Sequence, residues 1–339
     1  MAGWEIKEAQ FIEKYLLEED IWKMFNYIFS SKTVKATSYK FVFLKSIIEC
    51  VYDVNLEGKI LLTDIFARFT RIYWYLIVKH NLRQCTKAIR SGKASINIIF
   101  EKYIKFDQQL MFCEYDSIDD NIKKCIESEV YAECKEYVVG AFYNDTGGSV
   151  YSFSLRENYI KFNPQVLSFI QKYSNVLLKL NYFEWISFLE KNNSGESCYS
   201  IASKLHEASK RTNLTLYKDF LYFNTDEEET RCFYCNRAIA YNKIHVDHFI
   251  PWSFIKSDRL WNLVNSCPVC NLSKSDKLTE KYFLDKLINR DEKLLLRNEL
   301  IIVKDFNVYS KERLINYYNA AEFCGFKKWK TIKPKGIMV

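Results

Sequence analysis

Two Cys-x-x-Cys pairs, Cys232/Cys235 and Cys267/Cys270, constrain this chain more than any other feature, because they stand 31 residues apart and suit one metal ion. A C-x2-C spacing lets two thiolates from one turn grip the same ion, and four thiolates are the donor set of a tetrahedral structural zinc at about 2.3 Å per bond. The 31 residues between the pairs exceed a minimal ribbon, so something is inserted inside the clamp. There are 11 cysteines, an odd number. The opening MAGWEIKEAQ lacks a basic region followed by an apolar core, so the expectation is a cytoplasmic protein with reduced thiols that serve as metal ligands. The longest uninterrupted apolar run, Ile72 to Val78, is far short of the roughly 20 residues that cross a bilayer, so no membrane span is expected.

The insert carries His245-Val246-Asp247-His248-Phe249-Ile250-Pro251, and with it two of the four histidines in the chain. A β-branched run that ends at Pro predicts a strand whose end presents a carboxylate beside an imidazole. Hydrolysis of a phosphodiester needs a base near neutral pH, which imidazole supplies, and a cation to offset charge at phosphorus. A hard carboxylate oxygen is the natural ligand for that cation, magnesium or manganese.

The runs HVDHFIPWSF, WNLV and CPVCNLSK together resemble the HNH nucleases, particularly the variant whose last motif residue is Asn, which includes many bacterial restriction-type endonucleases. The resemblance covers about 50 residues and implies a two-stranded ribbon followed by a helix, with one catalytic Mg2+ or Mn2+ between them and the zinc cluster at the base. It implies His248 as general base, Asp247 and Asn271 as ligands of the catalytic ion, and Asn262 as the central Asn that ties down the loop holding the base. Lys274 falls one helical turn beyond Asn271, where the family motif places a Lys able to meet a phosphate. His245 is either an auxiliary metal ligand or a partner of the ligands, and Asn271 alone would read as a helix cap. Trp252 and Trp261 read as packing for a small module.

Outside this segment, large apolar residues recur at helical spacing from Trp4 to about Cys134, and Gly and Pro are sparse, at 9 and 4. Tyr39 to Val51 and Thr63 to Val78 are too apolar for surface helices, which makes them the centre of a helical domain, with Thr63 as an N-cap. The turn cluster Asn144 to Gly148 suggests a hairpin between Tyr137–Phe142 and Val150–Leu155. Asn163-Pro164 reads as a helix start and Asn192 to Gly195 as its break. The expected class is mainly α with a small α+β module. Its parts would be a helical N-terminal domain over 1–224, an HNH domain over 225–285 after the acidic stretch Asn224 to Glu229, and a basic helical extension over 286–339.

Net charge is +7, but residues 231–339 hold 20 Lys+Arg against 11 Asp+Glu, so this third carries +9 and the rest −2. A basic third on a near-neutral body suits a polyanion, although a merely soluble Lys-rich face has the same charge. Lys327, Lys328, Trp329, Lys330, Lys333 and Lys335 interleave cations with an aromatic, as a nucleic-acid contact or a solvated tail would. The expected function is a metal-dependent endonuclease on DNA in bacterial restriction or antiphage defence, as a homo-oligomer or with a defence-system partner. The alternatives are an RNA-cleaving nuclease of the same class and a non-catalytic zinc ribbon that binds nucleic acid.

Overall fold

The computed structural model describes residues 5–12, 15–30, 32–195, 199–208, 214–223 and 230–331. It is mainly helical with a small mixed module, and it divides into two compact units, Met1–Arg211 and Thr212–Val339. The acidic stretch Asn224 to Glu229, and Lys333 and Lys335, lie outside the described residues. Among the described residues no helix is long and apolar enough to cross a membrane.

The first unit runs β1 (Glu8–Ala9), α1 (Glu18–Phe29), α2 (Tyr39–Cys50), β2 (Lys59–Leu61), α3 (Leu62–Trp74), α4 (Ser95–Phe106), α5 (Asp120–Asp145), β3 (Tyr151–Ser154), β4 (Tyr159–Phe162), α6 (Pro164–Asn192) and α7 (Ile201–Glu207). Its centre is α2, of whose twelve residues ten are buried, because YKFVFLKSIIEC has no polar face wide enough to meet water. Aromatic rings from four elements converge there: Phe43 meets Phe66 of α3, Phe142 of α5 and Tyr151 of β3 at centroid distances of 5.5–6.4 Å. Helix α6 starts as its sequence dictates, with Pro164 in the first turn and the Asn163 side chain accepting from the Gln165 amide at 3.0 Å. The strands form one antiparallel sheet in the order β1-β3-β4-β2.

Two local expectations are corrected. The stretch Tyr137–Phe142 is not a strand but the last part of the 26-residue α5, its Val138, Val139 and Phe142 buried in the helical core. Tertiary packing outweighs the β preference of two valines. The turn cluster instead ends α5: Gly148 has φ +66° and lies so close to Ile12 that a Cβ would meet its side chain at 2.5 Å. The hairpin is β3–β4, turned at Asn158, which has φ +58°. Thr63 is likewise not an N-cap, since α3 starts at Leu62. The Asn158 side chain serves that end from outside, accepting from the Thr63 amide at 3.2 Å.

The second unit runs α8 (Thr215–Phe223), β5 (His245–His248), α9 (Trp252–Ile255), β6 (Leu263–Ser266), α10 (Pro268–Lys274), α11 (Lys281–Leu295), α12 (Leu300–Phe306) and α13 (Lys311–Phe323). Strands β5 and β6 pair antiparallel, His245 opposite Ser266 and His248 opposite Leu263. Because α10 follows β6 directly, two strands and a helix make a compact ββα unit whose helix carries Cys270 and runs on to Lys274. Surrounding helices hold it in place. Arg290 of α11, buried, donates to the carbonyls of Leu263 (2.7 Å) and Leu260 (3.1 Å). Asp305 of α12 accepts from the Leu260 amide at 2.9 Å, and Asn265 of β6 donates to the Leu221 carbonyl of α8 at 3.0 Å. Residues 327–329 are anchored through their backbone and through Trp329, while Lys327 and Lys328 are exposed. Lys327 and Trp329 bracket Leu278 with backbone hydrogen bonds, and Trp329 is buried against Tyr234 with its indole donating to Ser273.

Candidate functional site

The four cysteines converge as their spacing requires. The Sγ atoms of Cys232, Cys235, Cys267 and Cys270 all lie within 4.8 Å of one another, and Cys235 and Cys267 are 3.8 Å apart. A tetrahedral zinc with bonds of about 2.3 Å sets its sulfurs about 3.8 Å apart. Backbone amides aim at the sulfurs: Cys267 N lies 3.3 Å from Cys232 Sγ and Cys270 N 3.5 Å from Cys267 Sγ. Asn236 closes the first knuckle with φ +60°, a conformation Asn tolerates better than most residues. Without a cation two of these thiols, Cys232 and Cys270, are held toward the protonated form. Burial pushes the Cys232 thiol up to about 11, and burial beside Cys232 raises Cys270 further. At Cys267 burial acts upward too, but the Cys270 amide and the neighbouring thiols together hold it below the usual range. Four crowded sulfurs with inward amides fit a structural zinc by donor chemistry as well as by distance.

Above the knuckle, strand alternation turns His245 and Asp247 to the same face of β5, and α10 packs on it. Asn271 of α10 places Nδ2 at 3.0 Å from His245 Nδ1, which leaves its Oδ1 as the donor atom for a cation. Asp247 is buried, and its Oδ2 accepts from the Tyr234 hydroxyl (2.5 Å) and from Lys274 Nζ (2.9 Å). Burial and the adjacent Asp247 carboxylate raise the Tyr234 phenol well above its ordinary value, so it stays protonated and donates. A carboxylate oxygen and an amide oxygen are hard donors that fit magnesium or manganese.

Lys274 departs from its expected place. It is fully buried, and its ammonium also donates to the His248 carbonyl at 2.7 Å, so it faces the interior and not a phosphate. The reason is electrostatic: a carboxylate as buried as Asp247 needs a fixed counter-charge.

His248, 4% exposed, sits at the end of β5 with Nε2 2.7 Å from Asp258 Oδ1. A carboxylate accepts, so Nε2 carries a proton, and in the neutral ring Nδ1 is the nitrogen left to act as base. Asp258 is in turn held from α8, where the Tyr217 hydroxyl donates to its carbonyl at 2.8 Å. The chain beyond His248 is pinned by Asn262: its Oδ1 accepts from the Ile250 amide at 2.8 Å and its Nδ2 donates to the Ile250 carbonyl at 3.0 Å. Its own carbonyl accepts from the Phe249 amide at 2.8 Å. One buried amide thus fixes both polar groups of one residue and prevents the base from swinging.

Sequence reasoning missed Asp258 and Tyr234. Tyr234 lies inside the first Cys-x-x-Cys, where its position between two ligands could have marked it. Asp258 stands ten residues from His248 in a polar loop and gave no signal. Trp261 is buried, 6.1 Å from the Tyr317 ring, and Trp252 is half-buried with Lys256 over its ring at 4.3 Å.

Residues 232–277 match the model of the HNH endonuclease family. No curated protein and no solved structure matches the chain.

Proposed function

From the premise that this chain carries an HNH endonuclease domain at residues 232–277, we propose that it hydrolyses phosphodiester bonds in DNA with His248 as general base. The observation that carries this reading is the Asp258–His248 pair at 2.7 Å at the end of the strand that holds Asp247. A structural zinc ribbon has no use for an oriented imidazole there. His248 Nδ1 takes a proton from water as the oxygen attacks phosphorus and the bond to the leaving oxygen breaks. Asp258 holds the imidazole in the tautomer with Nδ1 free and faces the positive charge it acquires. Asp247 and Asn271 would hold magnesium or manganese, which supplies neutralising charge at the phosphate and at the leaving oxygen. His245 orients the Asn271 amide and Asn262 the loop. Lys274 and Tyr234 fix the Asp247 carboxylate from behind.

We place the activity on DNA, in the cytoplasm, in bacterial restriction or antiphage defence, on the resemblance of the motif to restriction-type enzymes. Plasmid and an RNA of equal length, each with magnesium or manganese, test the substrate, and cleavage of RNA alone would reassign it. His248→Ala is expected to lower cleavage by about 100- to 10,000-fold while zinc content and DNA binding stay at parental levels. Cleavage by His248→Ala at the parental rate would remove the assignment and leave a nucleic-acid-binding zinc module.

A further inference from the structure

Beside the knuckle, the second unit has a groove of about 550 Å3 between residues 231–236 and α11. That volume is in the range of sites built for small ligands. Five cations line it against one carboxylate, Asp285. Arg290 is spent on the Leu260 and Leu263 carbonyls and Arg297 on Glu299, and Arg231 gives one guanidinium nitrogen to the Asn236 carbonyl at 3.2 Å. Arg231 and Lys293 are exposed, and Lys286 is half-buried with its ammonium on the Phe233 carbonyl at 2.6 Å. Tyr282, Lys286, Asn289 and Lys293 lie at helical spacing on one face of α11, so an aromatic ring, an amide and two ammonium groups form a stripe along the groove. Tyr282 is 72% exposed, unusual for a large ring among cations. Tyr234 also lines the groove, and its hydroxyl reaches Asp247.

We propose that this groove seats a single-stranded segment of nucleic acid, one base stacked on Tyr282 and its phosphates on Arg231, Lys286 and Lys293. Asn236 and Asn289 offer amides to the base edge. Stacking plus a cationic track is how single strands are held without a fixed sequence. An acidic peptide would satisfy the cations but leave the exposed face of Tyr282 and the two amides without a role. The inference rests on the nuclease reading for its purpose: Tyr234 lines the groove and its hydroxyl meets Asp247, so the groove adjoins the residues proposed to hold the cation.

Binding is measured by fluorescence anisotropy of a labelled 12-nucleotide thymidine oligomer on the zinc-loaded His248→Ala protein, with no other divalent metal. Tyr282→Ala is expected to weaken binding about 5- to 150-fold at unchanged melting temperature, its ring being mostly in water. Arg231→Gln and Lys293→Gln should each reduce the salt slope by roughly 0.7, as loss of one phosphate contact on a single strand does. Lys304→Gln, an exposed lysine outside the groove, should change neither. Parental binding by Tyr282→Ala, or a polyglutamate peptide of equal charge that displaces the oligomer equally well, would overturn the proposal. Because no cleavage is read, that failure is distinct from failure of the nuclease assignment, which cleavage by His248→Ala alone would reveal.

Discussion

At the residue scale, Asp247 Oδ2 accepts from both a tyrosine and a lysine, and each partner has its own measurable part. Tyr234→Phe keeps the packing against Phe283 and Trp329 but deletes one donor from a buried carboxylate. A loss of about 1–3 kcal/mol is expected. With Lys274 still in place, much of it should appear as weaker manganese binding, checked by titration calorimetry. Equal manganese affinity in parent and variant would mean that Tyr234 only packs. Asp258→Asn puts an amide where a carboxylate accepts from Nε2, so the His248 tautomer is no longer fixed. Nitrogen-15 shifts of the imidazole should report a change of tautomer population, and turnover should fall while DNA affinity holds. Unchanged shifts would show that Asp258 does not orient the ring. The resemblance of short local runs to the HNH motif named His248, Asp247, Asn262 and Asn271 as candidates. Asp258 was hidden because a loop closure, not a spacing, delivers it.

At the element scale, the ββα unit was legible because its signals are short-range: a β-branched run that ends at Pro251, cysteines at metal spacing, and runs that resemble the HNH motif. The helical core was legible for a similar reason, its apolar stripes being too wide for surface helices. The misplaced hairpin shows where local signals fail. Tyr137–Phe142 has the composition of a strand, yet the 26-residue helix it ends is buried along the side that carries Val130, Cys134 and Val138, and that packing decides. The zinc knuckle makes its own prediction. With Cys232 pushed up to about 11 and Cys270 also raised by burial, zinc must displace protons from these thiols at neutral pH. Uptake should therefore release protons and weaken as pH falls, which calorimetry in buffers of different ionisation enthalpy measures. A proton count near zero at pH 7 would contradict this. Cys267→Ser should lose zinc and melt at lower temperature, since its sulfur both faces the ion site and caps α10.

At the scale of the whole molecule, the positive excess lies in residues 231–339, while Trp329 is internal packing. Removal of residues 327–339 should therefore lower the melting temperature of the second unit, because it strips the Leu278 backbone pairing and the indole bond to Ser273. A truncated protein with parental melting temperature and lower DNA affinity would return these residues to a peripheral contact. The buried ammonium of Lys274 has one more consequence, for anyone who wishes to trap this protein on its substrate. Asp247→Ala, the obvious inactive form, leaves a fully buried cation without its carboxylate, a change that costs about 3–5 kcal/mol in comparable pairs. Such a protein is misshapen as well as inert, and its failure to bind would say nothing about recognition. His248→Ala takes away chemistry and leaves the charge balance of the interior whole, so it is the decoy that still resembles the working molecule.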